Sequence, residues 1–319
     1  MPIVTSTEGL SLHPPRIAIL LATYNGEQFL REQLDSLRKQ KTGRIDVWAS
    51  DDGSSDRTRE ILREARASWV AGDFRVVRGP SQGFAENFRS LILNPDIAAD
   101  YYAFCDQDDI WDADKLATAV EWLERLPPGE AGVYCSRTRI IDLQGNTTGA
   151  SPLFLRPPSF RNAIVQSIAG ANTMVLNQTA WTLLVEASRE TRFISHDWWT
   201  YLVVTGAGGT VHYSPEPRIG YRQHAENLVG SNNSFFARLS RYRFLLEGRF
   251  SDWMDSNLTG LRRCERLLTE DSRQVLSELE RVHSGPLPTR LSSLVRSGAY
   301  RQSLGANLGL YFACMLGKL

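Results

Sequence analysis

The chain has 319 residues, 42% hydrophobic and 23% charged, with a formal net charge of zero. That balance fits one large globular core, with or without an appendage, and implies no nucleic-acid partner. Cys105, Cys135, Cys264 and Cys314 stand far apart with no C-x-x-C pair, which argues against a zinc site or a disulfide framework and for reduced thiols in a cytoplasmic protein. Met1–Pro15 has no basic stretch leading into an apolar core, so no secretory signal is expected. No apolar run approaches the roughly 20 residues of a membrane span.

Residues 1–15 read as a flexible leader ending in Pro14-Pro15. Ile17–Ala22 is a continuous apolar run of strand length, as in a parallel strand buried on both faces. Phe29, Leu30, Leu34 and Leu37 then form one stripe of a helix over about Gln28–Lys39. Ile45–Ser50 is the second predicted strand, and Ser55 or Asp56 is placed to cap the next helix. Phe74–Val77 is a third strand, Ser81-Gln82-Gly83 opens a helix running to about Leu93, and Tyr101–Cys105 is a fourth strand. This alternation predicts an α/β open sheet. Beyond Asn146 the pattern is less regular. Val133–Arg137 and Ile140–Asp142 predict a short hairpin region, and Pro152–Pro158 a loop. From Phe235 the pattern is helical, with Arg238, Arg241, Arg243 and Arg249 beside Leu245 and Leu246; Leu304–Leu316 is apolar.

Ligands of open α/β sheets bind outside the carboxyl ends of the strands. Three polar clusters fall there: Thr23-Tyr24-Asn25, Asp51-Asp52, and Asp106-Gln107-Asp108-Asp109. Carboxylates packed this closely repel one another unless a cation sits among them, and a hard divalent ion prefers oxygen ligands. The first strand–helix turn lacks both G-x-x-x-x-G-K-[ST] and G-x-G-x-x-G, which argues against a P-loop ATPase and a dinucleotide-dependent oxidoreductase. It reads Ala22-Thr23-Tyr24-Asn25-Gly26-Glu27 instead. Tyr24 could stack on a base, and Asp51 could accept from a base N–H.

Taken together at these spacings, Thr23–Glu27, Asp51–Asp56 and Asp106–Trp111 resemble a family 2 glycosyltransferase of the GT-A fold, over roughly Arg16–Gly230. His196-Asp197-Trp198-Trp199 and Tyr221-Arg222-Gln223-His224-Ala225-Glu226-Asn227 further resemble bacterial rhamnosyltransferases that use dTDP-L-rhamnose. The resemblance implies a mostly parallel central sheet flanked by helices, with a catalytic domain over 16–230 and a helical region over 231–319. It implies nucleotide contacts from Thr23, Tyr24, Asp51, Asp52 and Asp106. Asp108, the last carboxylate of the D-x-D, would coordinate Mg²⁺ or Mn²⁺, with His224 as a second protein ligand. Asp109 would orient the metal shell or cap the helix containing Lys115. Arg222 would meet the diphosphate. Gly170 and Asn172, in the loop Ile168–Thr173, would floor the sugar pocket, with His196 and Trp198 nearby. Asp197 would be the general base of an inverting transfer, a role that an N-cap at the same position does not exclude.

The acceptor implied is a glycan or lipid-linked hydroxyl in the synthesis of a bacterial surface polysaccharide. Residues 231–319 carry 13 Lys and Arg against 8 Asp and Glu, a net of +5. That charge suits peripheral contact with an anionic inner leaflet, and equally a packed subdomain or a homo-oligomer interface. Two other classes stand beside transfer. A sugar-nucleotide-forming nucleotidyltransferase would need a Gly-rich, Arg-containing loop that is missing here. A non-catalytic sugar-nucleotide binding module would not need all of these carboxylates.

Overall fold

The computed structural model describes residues 14–224 and 249–319. Most of the expected leader, the Arg-rich pattern from Phe235, the end of the Tyr221 motif and the boundary at residue 230 lie outside the described residues.

The first half alternates as expected. It runs β1 (Arg16–Thr23), α1 (Leu30–Arg38), β2 (Arg44–Asp51), α2 (Thr58–Ala67), β3 (Phe74–Arg78), α3 (Phe84–Ile92) and β4 (Tyr101–Cys105). There follow β5 (Ile110–Trp111), α4 (Lys115–Leu123), β6 (Gly132–Ser136), β7 (Arg139–Ile141), β8 (Thr147–Ala150) and α5 (Phe160–Ala163). A 3₁₀ turn at Ala171–Thr173 leads into β9 (Val175–Asn177), α6 (Gln178–Glu190), α7 (His196–Gly206), β10 (Thr210–Ser214) and β11 (Ile219–Arg222). The C-terminal segment holds α8 (Arg249–Arg263), α9 (Glu270–Ser284), α10 (Leu287–Ser297) and α11 (Leu304–Leu316).

The main sheet has seven strands in the order β10-β6-β9-β4-β1-β2-β3, parallel except where β9 runs antiparallel between β4 and β6. From β1 the chain moves outward through β2 and β3, then returns to place β4 on the other side of β1. That reversal opens a crevice at the carboxyl ends of β1 and β4, where such sheets bind their ligands. A smaller sheet, β5-β11-β7-β8, flanks it.

β1 is apolar from Ile17 to Ala22 because both of its faces are covered there. Ile17, Ile19 and Leu21 pack with Leu30, Leu34 and Leu37 of α1 and Ile61 and Leu62 of α2. Ala18 and Leu20 face the other way, onto Phe88 and Leu91 of α3. The period of two in a strand sends alternate side chains to opposite layers. The N-cap of α2 is Arg57, not Ser55 or Asp56 as expected; Asp56, one residue earlier, accepts from the Thr58 N–H at 3.0 Å and from the Thr58 hydroxyl at 2.6 Å. Ser55 instead donates its N–H to Asn25 Oδ1 at 2.9 Å.

The expected hairpin is not formed. The segment starting at Val133 is β6, an inner strand of the main sheet, whereas Ile140 lies on β7 in the smaller sheet. Arg137 and Thr138 carry the chain from one sheet to the other. Alternation in two short runs cannot tell pairing with each other from pairing with distant strands.

The C-terminal helices close the core of the preceding α/β region. Met254, Leu258 and Leu261 of α8, Leu276 and Leu279 of α9, Leu294 of α10 and Leu310 of α11 share one buried cluster with Trp198, Trp199 and Tyr201 of α7. Gly260 lets α8 approach closely: a Cβ there would stand 3.0 Å from the Trp199 ring. Leu261→Ala is therefore expected to cost about 2–5 kcal/mol. In urea denaturation it should shift one common transition of far-UV and tryptophan signals, and no separate early melting of the C-terminal helices should appear.

Candidate active site

Three chain turns meet in the β1–β4 crevice. After β1, Tyr24 is 58% exposed, an unusual position for a large aromatic that no core claims. Its backbone is fixed by Gln107, the middle residue of Asp106-Gln107-Asp108. The Tyr24 N–H donates to Gln107 Oε1 at 2.8 Å, and Gln107 Nε2 donates to the Tyr24 carbonyl at 2.9 Å. A Cβ on Gly26 would collide with that amide. Gln107 thus acts like an added strand residue, tying the aromatic turn to the acidic one.

After β2, Asp51 is buried. It accepts from the Ser54 hydroxyl at 2.5 Å, the Ser54 N–H at 3.2 Å and Arg59 Nε at 2.7 Å. Burial alone would raise its pKa, but the Ser54 hydrogen bonds and Arg59 outweigh burial and hold it below the usual carboxylate range. The Thr23 hydroxyl lies 3.4 Å from Asp51 Oδ1 and 3.3 Å from the Ser50 carbonyl. Thr23 therefore supports the floor under Tyr24. Asp52 serves a different purpose from the nucleotide contact expected of it. Its two oxygens accept the N–H groups of Ser81 at 2.6 Å and Gly83 at 2.8 Å, which shapes the turn into α3.

After β4 come the carboxylates. Asp106 is half-buried and pushed up to about 7 by burial, by Asp108 and by Asp197. Asp197 is thus near enough to act on Asp106 electrostatically, across 91 positions of sequence. Asp108 Oδ2 stands 2.7 Å from His224 Nε2. Asp109 is fully buried and its pKa lies far above the usual range, because burial and then its neighbours Asp108 and Asp106 disfavour its charge. It accepts from Asn172 Nδ2 at 2.5 Å and from the Arg222 N–H at 3.3 Å. It does not cap α4, whose N-cap is Asp114. Lys115 is buried nearby with its Nζ 3.6 Å from the centre of the Trp111 ring. Burial pushes it down to about 7, against the pull of Cys105 and Asp109.

Asp197 lies in the first turn of α7, behind the N-cap Ser195. A helix N-terminus favours a carboxylate, and Asp197 Oδ1 accepts the Trp198 N–H at 2.7 Å. Burial nonetheless raises its pKa, against hydrogen bonds from Ser195 and Trp198.

Three expected site residues have other partners. The Arg222 guanidinium is fully buried, with its donors on the carbonyls of Asp108 at 3.0 Å, Asp142 at 3.1 Å and Leu143 at 2.7 Å and on the carboxylate of Glu32. Phe29 lies beneath it, 4.6 Å from ring centre to guanidinium carbon, and also stacks on His224. Arg222 holds the acidic turn from behind and does not face the crevice where a diphosphate would lie. His196 is enclosed by aromatic rings, stacked on Phe88 at 3.7 Å and edge-on to Phe104 at 4.9 Å. Burial pushes its pKa down to about 3, so the ring is neutral. Trp198 is buried, and its Nε1 donates to the Ala163 carbonyl at 2.7 Å, which fastens α7 to α5. Both belong to the apolar layer, whereas Asp197 between them acts electrostatically on Asp106. Gly170 is exposed at the head of the 3₁₀ turn, and Asn172 is buried against Asp109.

Gln107, Glu32 and Phe29 were not singled out for these roles from sequence. Their signals were faint: an amide inside an acidic run, an acid in the first turn of α1, and an aromatic just before it.

Among the described residues, no three His, Cys, Asp or Glu side chains form an all-protein metal cage. Asp108 Oδ2 and His224 Nε2, hydrogen-bonded to each other at 2.7 Å beside further carboxylates, could supply one or two ligands. A divalent ion that takes the rest of its shell from substrate phosphates and water needs no more than one or two protein ligands. The residues present therefore fit such an ion.

Comparisons with known proteins bear on the family and the fold. The family described as Glycosyl transferase family 2 matches residues 18–190. The dTDP-rhamnosyl transferase RfbG of Shigella flexneri is 28% identical over 235 residues, 69% of this chain and 77% of its own length. The uncharacterized protein Rv1520 of Mycobacterium tuberculosis is 27% identical over 216 residues, 66% of this chain and 60% of its own length. The solved structure of S. aureus TarS 1-349 in complex with UDP-GlcNAc aligns with a TM-score of 0.54, covering 89% of this chain and 90% of its own at 14% identity. With more than half of its length matched, this chain belongs to glycosyl transferase family 2, and it is a glycosyltransferase of the GT-A fold.

Proposed function

We propose that the protein transfers L-rhamnose from dTDP-L-rhamnose, with inversion, to a hydroxyl of a glycan or lipid-linked acceptor in the synthesis of a bacterial surface polysaccharide. The observation that carries the chemistry is the convergence of Asp197 on the Asp106–Asp108 turn, which pairs a base of raised pKa with a site suited to a diphosphate and its cation. The choice of donor sugar is supported by similarity to the rhamnosyl transferase of Shigella flexneri.

In this reading the exposed ring of Tyr24 stacks on the thymine, and Asp51, held ionised, accepts from its N–H. Thr23 supports that floor, and Asp106 faces the ribose. Asp108 and His224 would hold Mg²⁺ or Mn²⁺. When bound, that ion neutralises charge developing on the departing nucleoside diphosphate. Gly170 lies on the sugar side, with Asn172 behind it holding Asp109. Asp197 takes the proton of the acceptor hydroxyl as its oxygen bonds to the anomeric carbon. The bond from that carbon to the diphosphate oxygen breaks on the opposite face, and its electron pair leaves with dTDP.

Asp197→Asn should lower kcat by about 10²–10⁴-fold while calorimetric affinity for dTDP stays within a factor of a few. Near-normal turnover would remove Asp197 from the base role. A raised pKa at Asp197 means the base is lost to protonation sooner as pH falls. The acid limb of kcat/KM should therefore lie above the ordinary aspartate value of about 3.9. For the cation, Mn²⁺ should tighten dTDP binding to the parent protein, and Asp108→Ala should abolish that gain. An equal Mn²⁺ effect in both proteins would place the ion elsewhere.

A further inference from the structure

The last helix has two apolar faces but only one covering. From Leu304 to Leu316, α11 contains no charged residue. Leu310, Ala313 and Cys314 are buried against the body of the protein. On the opposite side Leu304, Leu308, Tyr311, Phe312 and Met315 are exposed, Leu304 to 87%, Leu308 to 73% and Phe312 to 52%. At 3.6 residues per turn those five positions fall within an arc of about 100°. Nothing lies near Gly305 or Gly309 on the same helix. A contiguous apolar stripe of this kind on a helix marks a surface that binds something.

Charge points to the occupant. From Arg281 to Lys318 the chain carries Arg281, Arg290, Arg296, Arg301 and Lys318 and no Asp or Glu. Three cations, Arg156, Arg290 and Lys318, stand at the two ends of the stripe, while the Arg301 guanidinium lies over the Phe250 ring. At the N-terminal end, the Arg301 N–H donates to Asn307 Oδ1 at 2.8 Å, and Arg156 Nη1 donates to the Arg301 carbonyl at 3.4 Å. Leu155, 83% exposed, precedes Arg156 and extends the apolar surface. At the C-terminal end Arg290 Nη1 donates to the Cys314 carbonyl at 3.3 Å, and Lys318 directly follows the turn that ends the helix. An apolar stripe bracketed by cations matches a bilayer with anionic head groups. A second copy of the same surface would meet it with like charges and no acid from this segment to offset them. Thirteen residues of helix are about 20 Å long, too short for the roughly 30 Å hydrocarbon core, so the helix would lie in the interface. Among the described residues no helix is long and apolar enough to cross a membrane.

We infer that the exposed face of α11 inserts Leu304, Leu308, Phe312 and Met315 into the head-group boundary of an anionic membrane, with Arg156, Arg290 and Lys318 on lipid phosphates. This surface is separate from the crevice and holds whatever sugar the donor carries. The test is cosedimentation of the full chain with phosphatidylglycerol/phosphatidylcholine vesicles and with phosphatidylcholine alone. Leu308→Glu and Phe312→Glu are each compared with the parent, and thermal melting checks that both remain folded. The parent should bind the anionic vesicles, release them at high salt, and bind neutral ones weakly. Each variant should lose about tenfold or more in apparent affinity with unchanged transfer to a soluble acceptor. Absence of parent binding, or binding by both variants equal to the parent, would overturn the inference. So would a parent dimer that Leu308→Glu splits into monomers.

Discussion

Mutual repulsion among Asp106, Asp108, Asp109 and Asp197 is the constraint around which the site is built. Left to themselves, four carboxylates gathered at one crevice would spread apart or take up protons. The raised pKa values of Asp106, Asp109 and Asp197 express that tendency, and fixed groups behind the acids keep them in place. Arg222 clamps the Asp108 carbonyl, Asn172 and the Arg222 N–H hold the buried Asp109, and His224 lies against Asp108. What these supports leave uncompensated faces the crevice, where a cation and a diphosphate would balance it.

The supports come from distant parts of the chain, so the site depends on the whole architecture. Glu32 on α1 meets Arg222 on β11, and Gln107 binds the turn after β1 to the turn after β4. α7 presents Asp197 while His196 and Trp198, its neighbours on either side, anchor the same helix in the apolar layer. The C-terminal helices bury α7 from behind through Trp199. Placement of the candidate base is thereby coupled to packing well outside the crevice.

Much of this was legible in the sequence where the period was strong. The run Ile17–Ala22 and the strand Tyr101–Cys105 announce buried parallel strands, and the polar residues that follow them fall at the carboxyl ends by simple chain geometry. The short runs at Val133 and Ile140 were not legible, because strand pairing between distant segments leaves no local mark. Arg222 looked like a diphosphate ligand since Arg suits phosphate chemistry in general. Its burial among carbonyls could not be read from its neighbours in the chain.

By itself, the sequence determined the alternation of strands and helices, the acidic turn after β4, the aromatic at the end of β1 and the candidate base at Asp197. These are local or periodic properties, set by which residues follow which. Only the tertiary structure decided which of the polar residues face the crevice and which support it. It brought Asp197 within electrostatic reach of Asp106 and set His196 in a cage of rings, although the two are adjacent. It made Arg222 a clamp, and it left one face of α11 uncovered. Those outcomes depend on what packs against each side chain from far along the chain, and burial and partnership, not residue type, set the role of a charged group.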